Sequence, residues 1–293
     1  MSDPASPPGA SHDKYDRLIA AAQKEATIEV AVAHPCDDVS LRGAVEAKRL
    51  GLIEPILVAP AQRVDAAAKQ AGLDISGMEI VTSAHSHDSA AKAVELVKAG
   101  RAEALMKGSL HTDELMSAVV ARESGIRTAR RISHCFIMDV PGHPEPLIIT
   151  DAAVNIAPDL DAKVDIVQNA IDLAHAMGQA EVRVAILAAM ETVTAKAPST
   201  IEAAALSKMA DRGQITGAFV DGPFALDNAI SPEAAGSRKS SRPSRAAPTC
   251  WWFPTSRPAT CWRRACPSLP EPTRRASCSA RGRRSSSQAA PIL

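Results

Sequence analysis

The sequence predicts an α/β fold with two lobes, each built on a mainly parallel sheet covered by helices. Short apolar runs rich in Val, Ile and Ala alternate with helical patterns through the first 235 residues. The runs are apolar almost throughout, which is typical of strands buried on both faces of a parallel sheet. Aromatic residues make up only 3% of the chain, a composition that is usual for α/β proteins.

The first lobe, residues 13–135, is predicted to contain four strands that each lead into a helix. Three of the four helical patterns end at a glycine, namely Gly51, Gly100 and Gly125, as helices often do. The strands are expected at 28–33, 56–58, 79–81 and 103–106, and the helices at 41–50, 62–70, 89–99 and 112–123.

The second lobe, residues 136–235, opens with a break in this alternation. Strands are predicted at 133–138 and 147–149 with only the turn PGHPEP, residues 141–146, between them. We interpret this pair as an antiparallel excursion near the boundary between the lobes. The alternation then resumes, with helices at 163–177 and 199–212 and strands at 182–187 and 217–220.

The two ends of the chain differ from these lobes. Residues 1–12 are rich in Pro and Ser, lack the apolar centre of a signal peptide and are predicted to be disordered. The net charge of the chain is zero, yet residues 236–293 hold 12 basic residues and a single acidic one, Glu271. The first 235 residues hold 21 basic and 32 acidic residues, so the zero is the sum of two different kinds of polypeptide.

The composition also excludes several classes of protein. The longest apolar run, residues 182–190, contains an arginine and is too short to span a bilayer, so no membrane partner is expected. Only Cys36 and Cys135 lie in the lobes, which argues against a disulfide framework and favours a cytoplasmic location. The acidic charge of the lobes disfavours nucleic-acid binding.

Familiar short motifs are missing from the sequence. It contains no dinucleotide-binding glycine fingerprint, no phosphate-binding P-loop and no G-x-S-x-G nucleophile turn. His85, His87 and Asp88 form a loose cluster without the spacing of a ligand set, so no metal is predicted.

The strongest candidate for ligand binding follows the fourth predicted strand, since clefts form at the carboxyl ends of parallel strands. Lys107, Gly108 and Ser109 lie between this strand and a helix that Thr112 could cap. Free amides at a helix start favour an anion, and Lys107 would add a positive charge. The alternative is an ordinary strand–turn–helix with a solvated lysine.

A second candidate is the basic segment that leads into the next strand. Arg130, Arg131 and Ser133 lie within RTARRIS, where arginines could hold a phosphate by forked, bidentate hydrogen bonds. The alternative is a basic surface loop.

Three further side chains follow predicted strands or precede a predicted helix. Asp151 could orient a ligand or Asn155, Lys196 lies in a loop before a helix, and Asp221 is expected at a tight turn that points it into the cleft. The alternative for each is ordinary capping and turn chemistry.

In their order and spacing, these segments resemble the phosphate acetyltransferase/phosphate butyryltransferase family, with the greater likeness to its butyryltransferase-like branch. The resemblance covers residues 14–235. The matching segments are MKGSLHTDELMSAV, RTARRISHCFIMDVPGHPEPLIITDAAVNIAPDL, KAPSTIEA and ITGAFVDGPFALDNAISPEAA.

The resemblance implies a fold like that of the isocitrate/isopropylmalate dehydrogenases and the reaction of acyl-CoA with inorganic phosphate to give acyl phosphate and CoA. Coenzyme A is then a substrate, and no metal or other cofactor is implied. A homodimer is also implied. Lys107 and the amides of residues 108–110 would line the anion site near Thr112 and Ser133, and Arg130 and Arg131 would contact phosphate groups. Asp151, Lys196 and Asp221 would be cleft residues.

The resemblance ends near Ala235, where the family continues with a strand and a Pro-Asp-Leu-x-Ala-Gly-Asn motif. An alternative frame, here called the second frame, starts at the third base of each written codon. In this frame the codons of residues 250–253 encode Leu-Val-Val without ambiguity. The same frame permits P-D-L-E-A-G-N-M-L-A next, A-D-A-A-G-I-V-L-G-A-R across residues 271–281 and T-S-R-A-D across 287–291. We therefore hypothesise a slip of one or two bases near Ala235 that makes residues 236–293 an aberrant, disordered tail.

This slip would remove the catalytic residues that the resemblance implies. In the family, a Ser-Arg-x-Asp segment near the C-terminus supplies an arginine for the acyl phosphate and an aspartate that takes the proton of the CoA thiol. A base is needed because the thiolate is the nucleophile. This chain has Gln288, Ala289, Ala290 and Pro291 in the corresponding place, so little or no transferase activity is expected.

Three other interpretations stay open. The chain could be a non-catalytic remnant that binds CoA or acyl phosphate. It could be a binding protein whose basic tail recruits nucleic acid or an acidic partner, although three Trp and four Cys are unusual in such a tail. A dehydrogenase of the same fold would need metal-binding carboxylates and a nicotinamide site, and the sequence indicates neither.

Overall fold

The computed structural model of the chain describes residues 13–123, 126–140, 143, 145–151, 153–225, 250–252 and 275–278, the last two segments by their backbone alone. These residues form two compact units. One contains residues 18–129, and the other contains residues 13–17 together with the described residues from 130 to 278.

The unit of residues 18–129 is built on a parallel four-stranded sheet in the order β3-β2-β1-β4. Val32 of the first strand and Leu57 of the second are fully buried beneath Leu41 and Val64 of the helices. The strands are β1 (Ile28–Ala33), β2 (Ile53–Ala59), β3 (Glu79–Thr82) and β4 (Ala104–Lys107), and the helices are α2 (Asp38–Arg49), α3 (Ala61–Ala71), α4 (Ser86–Lys98) and α5 (Thr112–Val120). An additional helix, α1 (Asp13–Ala22), precedes them.

Local chemistry explains where these helices begin and end. The side chain of Asp37 caps α2 by accepting the amide of Ser40 at 2.9 Å. Gly72 ends α3 in the left-handed conformation, which glycine adopts without steric cost.

The second unit is built on a mixed six-stranded sheet in the order β10-β5-β6-β9-β7-β8. Ile166 and Ile171 of its long helix are fully buried against Val184 and Ile186 of a central strand. The strands are β5 (Cys135–Met138), β6 (Leu147–Thr150), β7 (Val182–Leu187), β8 (Ala218–Phe224), β9 (Cys250–Trp252) and β10 (Arg275–Cys278), and the helices are α6 (Leu160–Ala176) and α7 (Pro198–Asp211).

The structure confirms the predicted α/β class, with one parallel sheet and one mixed sheet in which three of the five strand pairs are parallel. The predicted antiparallel excursion is confirmed as well, since β5 pairs with β6 in antiparallel register, Phe136 opposite Ile149. Every strand and helix predicted in the lobes is present; β1 and β7 have the predicted ends, the others have shifted ends, and α1 was not predicted. No helix of the described segments is long and apolar enough to cross a membrane.

Two segments of the tail are strands, which the hypothesis of a disordered tail did not anticipate. β9 lies between β6 and β7 and is parallel to both, while β10 pairs with β5 in antiparallel register. The rest of the predicted tail, residues 236–293, and the predicted N-terminal segment, residues 1–12, lie outside the described residues.

Candidate functional site

The turn at residues 107–109 lies against the end of β1. Gly108 donates its amide to the carbonyl of Ala33 at 2.8 Å, and Ser109 donates its amide and its hydroxyl to the carbonyl of His34 at 2.9 and 2.8 Å. Gly108 is buried, whereas the side chains of Lys107 and Ser109 are exposed. The structure thus brings Lys107, Gly108 and Ser109 together, but the amides of Gly108 and Ser109 are not free as predicted, because the carbonyls of Ala33 and His34 accept them. The exposed side chain of Lys107 places its amine 3.3 Å from the Gly108 carbonyl.

The predicted cap at Thr112 is wrong. The N-cap of α5 is His111, whose side chain makes no capping hydrogen bond, and Thr112 is the first helical residue. The backbone of His111 has the extended conformation of an N-cap, so the helix begins at Thr112 as its predicted range did, and the cap lies one residue before the predicted one. Asp113 and Glu114 occupy the first turn, and their charge opposes the attraction of the helix dipole for an anion. Lys107 is therefore the main positive charge at this turn.

His34 organises this turn and was not among the candidates predicted from the sequence. It is 4% exposed and has a positive φ of 58°, which is uncommon for a residue other than glycine. Its amide donates to Val58 of β2 at 2.9 Å, and its carbonyl accepts the amide of Cys36 as well as both donors of Ser109. The only sequence signal was a histidine at the end of an apolar strand, because its partners lie far along the chain.

Arg130 and Arg131 have different environments in the second unit. The guanidinium of Arg130 pairs with Asp172 of α6 at 2.5 Å and contacts the amide oxygen of Asn169 at 3.4 Å. The side chain of Arg131 is exposed and makes no hydrogen bond or ion pair to other described residues, although its amide donates to Asp165. Of the two arginines, Arg131 therefore has the guanidinium that is available for an anion.

Ser133 is fully buried beside α6. Its hydroxyl accepts a hydrogen bond from the Asn169 amide at 3.0 Å, and the same amide donates to the carbonyl of Arg131 at 2.9 Å. Asn169 therefore fixes the backbone of Arg131, and the Ser133 hydroxyl helps to hold the Asn169 side chain in place.

Asp151 is a buried turn organiser. Its Oδ1 accepts the amides of His134, Ala153 and Val154, each at 3.2 Å. Its Oδ2 accepts the amide of Asn155 at 2.9 Å and also the side-chain amide of that residue. A carboxylate has about four lone-pair positions, so these five donors leave no place for a ligand. The structure supports the capping interpretation, and Asp151 and Asn155 orient each other.

The pKa of the neighbouring His134 imidazole is lowered by burial, an effect that the charge of Asp151 partly offsets. The neutral form of this ring is therefore favoured in the loop.

Asp221 lies on β8, and Lys196 lies in the loop before α7. The predicted tight turn at Asp221 is wrong, because β8 continues to Phe224 and pairs Asp221 with Ala185 of β7. Carboxylate oxygen Oδ1 of Asp221 accepts the amide of Gly222 at 2.9 Å and the hydroxyl of Ser207 at 3.4 Å. Lys196 is exposed in the loop before α7, where its amide contacts the Thr194 hydroxyl at 3.4 Å.

The loose histidine cluster has a structural role at the start of α4. The Nδ1 atom of His85 accepts the amide of Asp88 at 3.2 Å as a helix cap, and His87 lies 3.4 Å from Glu114. Among the residues that the structure describes, no group of His, Cys, Asp and Glu could hold a metal ion. Gln288 to Pro291, which replace the expected catalytic segment, lie outside the described residues.

Comparison with known proteins identifies relatives over most of the lobes. Residues 84–255 match the family described as phosphate acetyl/butaryl transferase. A phosphate acetyltransferase of Rhizobium meliloti is 64% identical over 226 residues, which are 77% of this chain and 72% of that protein. A phosphate butyryltransferase of Clostridium acetobutylicum is 39% identical over 221 residues, 75% of this chain and 73% of that protein.

Solved structures share the fold at lower identity. A branched-chain phosphotransacylase from Enterococcus faecalis V583 superposes with a TM-score of 0.73 at 23% identity, over 87% of this chain and 88% of that chain. A phosphotransacetylase from Streptococcus pyogenes gives a TM-score of 0.73 at 17% identity, over 90% of each chain.

Proposed function

Because the chain belongs to the phosphate acetyltransferase/butyryltransferase family, we propose that its lobes are those of an enzyme that moves an acyl group between CoA and inorganic phosphate. The observation that carries the proposal is the 64% identity to a phosphate acetyltransferase over 226 residues. CoA, acyl phosphate and inorganic phosphate are then the substrates, and all three carry negative charge. The exposed cations of Lys107 and Arg131 would attract them and stabilise charge in the transition state.

The proposal assigns each candidate residue a role within its own unit. Lys107, held in place by the turn at Gly108 and Ser109, would contact one anionic group, and Arg131 would contact another. Arg130, Ser133 and Asp151 would hold backbone in place, since their polar atoms are engaged by Asp172, Asn169 and a set of loop amides. Thr112 would lie near the Lys107 turn, and Lys196 and Asp221 would be cleft residues of the second unit.

We further propose that the chain as written has little or no transferase activity. The family's Ser-Arg-x-Asp segment would be encoded at residues 288–291 in the second frame, and the written Gln288, Ala289, Ala290 and Pro291 offer neither a base nor a positive charge for an anion. The binding residues in the lobes are encoded before Ala235 and would be unaffected. A chain that binds CoA without turnover is therefore the second candidate function.

The position of β9 supports a frame slip near Ala235. β9 consists of residues 250–252, the same three codons that encode Leu-Val-Val in the second frame. A parallel strand with a neighbour on each side is usually a continuous run of Val, Ile and Leu. The written residues Cys250, Trp251 and Trp252 differ from that pattern, whereas the second frame matches it.

β10 supports the same proposal independently. It consists of residues 275–278, where the second frame permits Gly-Ile-Val-Leu. Resequencing the gene tests the slip directly. Leu-Val-Val is forced by the genetic code, so the positions after it decide: if the resequenced gene does not encode Pro-Asp-Leu-x-Ala-Gly-Asn there in the same alternative frame, the slip is ruled out and the tail is genuine.

Activity tests the proposed function. Acetyl phosphate or butyryl phosphate is mixed with CoA, and thioester formation is followed by ultraviolet absorbance for the written chain and for a gene with the frame restored. We expect turnover only with the restored frame, and the preferred acyl group will give the chain-length preference. Activity of the written chain near that of the restored enzyme would refute the impairment, and inactivity of both would refute the proposed function.

The arrangement of the lobes, the assembly and the location belong to the same proposal. We infer a fold related to the isocitrate/isopropylmalate dehydrogenases, a homodimer and a cytoplasmic enzyme. Light scattering of the restored protein would test the dimer, and cell fractionation would test the location.

A further inference from the structure

The imidazole of His34 is held at both ring nitrogens by residues of two different helices. Atom Nη1 of Arg63, in α3, lies 3.2 Å from Nε2, and the hydroxyl of Ser89, in α4, lies 2.9 Å from Nδ1. Ser83 and Ser89, like His34, are almost completely buried. The contacts among His34, Ser83 and Ser89 are therefore shielded from water, whereas Arg63 is exposed.

The chemistry of the partners fixes the direction of every hydrogen bond. A guanidinium can only donate, so Nε2 of His34 accepts from Arg63 and the ring proton is on Nδ1. Nδ1 then donates to the Ser89 hydroxyl, which donates in turn to the carbonyl of His85 at 3.0 Å. The remaining lone pair of Ser89 accepts the Ser83 hydroxyl at 2.7 Å.

The neutral ring is the form that this network requires. Burial lowers the pKa of His34, and the positive charge of Arg63 lowers it further, while Glu114 raises it. A proton on Nε2 would face the Arg63 guanidinium and break that contact.

The ring network and the turn at residues 107–109 meet at a single backbone unit. The His34 carbonyl, which accepts both donors of Ser109, belongs to a residue with left-handed φ. The ring contacts restrict rotation of that residue, so they fix where its carbonyl points. We infer that His34 is a positioning residue for the anion-binding turn, acting through its carbonyl on Ser109 and its neighbour Gly108. That this turn binds an anion rests on the proposed function.

Amide hydrogen exchange of the full chain, resolved by residue with NMR, tests the positioning without any ligand. We expect His34→Ala and His34→Gly both to speed exchange of the Gly108 and Ser109 amides by about tenfold, the effect of losing roughly one net hydrogen bond. His34→Gly keeps the freedom to adopt positive φ but lacks the ring. The ladder amides between β2 and β3 should exchange as in the wild type.

A matched control is available in the same turn. His111→Ala removes an exposed imidazole that makes no capping bond, so exchange at Gly108 and Ser109 should not change. Unchanged protection in His34→Gly would overturn the role of the ring. An equal rise in exchange across all four strands would show a merely structural role and would also overturn the inference.

A phosphate titration separates this inference from the proposed function. Inorganic phosphate should shift the Gly108 and Ser109 amide signals of the wild-type chain, and His34→Ala should need about tenfold more phosphate for the same shift. If the wild type shows no response but the exchange results hold, the anion site fails and the positioning stands. Equal phosphate affinity in wild type and His34→Ala would overturn the positioning of the site.

Discussion

Among the described glycines of the unit of residues 18–129, Gly108 has the closest neighbours for the Cβ atom that an alanine would add. A Cβ atom there would lie 2.4 Å from the carbonyl oxygen of Ala33 and 2.5 Å from that of His34. Both obstacles are backbone atoms, which cannot swing away as a flexible side chain can. The turn must therefore move away from β1.

The magnitude follows from the contacts that this movement breaks. The amides of Gly108 and Ser109 would lose their acceptors on Ala33 and His34, at about 1 kcal/mol of net stability for each bond. Overpacking of a tight site adds about 1–3 kcal/mol. We therefore expect Gly108→Ala to lower the free energy of unfolding by about 3–5 kcal/mol.

Gly43→Ala is the matched control. Gly43 is inside α2, and its nearest obstacle is the end of the Met106 side chain at 3.2 Å, which can move. Alanine is favoured over glycine within a helix by about 0.5–1 kcal/mol. We expect this variant to differ from the wild type by less than about 1 kcal/mol.

Urea unfolding followed by circular dichroism measures both variants against the wild type. Gly108→Ala should unfold at a clearly lower urea concentration with a similar m-value, whereas Gly43→Ala should not. If Gly108→Ala has the wild-type midpoint, the close approach does not constrain the turn and the reasoning is refuted.

Three further predictions concern stability and binding. The pKa of His34 is lowered in the folded chain, so the unfolded chain binds a proton before the folded chain does as the pH falls below 6.5. The stability that the neutral ring contributes is therefore complete above pH 6.5 and is lost as the pH falls through the lower pKa of the folded state. His34→Asn should flatten this dependence in urea midpoints measured from pH 7.5 to 5, and an unchanged slope would contradict it. Asp151→Ala leaves buried amides without an acceptor and should cost about 3 kcal/mol or more, while Asp151→Asn, which keeps one acceptor oxygen, should cost less in the same unfolding assay. Arg130→Ala should lower stability by about 1–2 kcal/mol because it removes the bond to Asp172. Arg131→Ala should leave stability unchanged and weaken the binding of phosphate, as measured by calorimetry. The reverse pattern would exchange the roles of the two arginines.

Much of the fold could be predicted because burial leaves a periodic pattern in the local sequence. The strand at 28–33 was predicted with its observed ends, and the break in alternation correctly indicated the antiparallel pair β5 and β6. The predictions were wrong where one local sequence pattern is compatible with two local structures. A threonine before a helix suggested a cap at Thr112, and a glycine and a proline suggested a turn at Asp221, where β8 continues instead.

The candidate site was predictable only in part. Lys107, Gly108 and Ser109 are adjacent in the sequence, so their shared turn could be anticipated. The difference between Arg130 and Arg131 could not, because it depends on an aspartate of α6 about 40 residues further along the chain.

The sequence by itself determined the fold class, the family and the place where the family's pattern ends, because periodicity, motif order and codon constraints are all written along one dimension. Tertiary structure alone decided that His34 joins β1 to the turn at Ser109, 75 residues away, and that the backbone of residues 250–252 pairs with β6 and β7. Such contacts depend on which surfaces meet when the chain packs, and no local pattern encodes them. The zero net charge indicates neither the contact of His34 with Ser109 nor the pairing of residues 250–252.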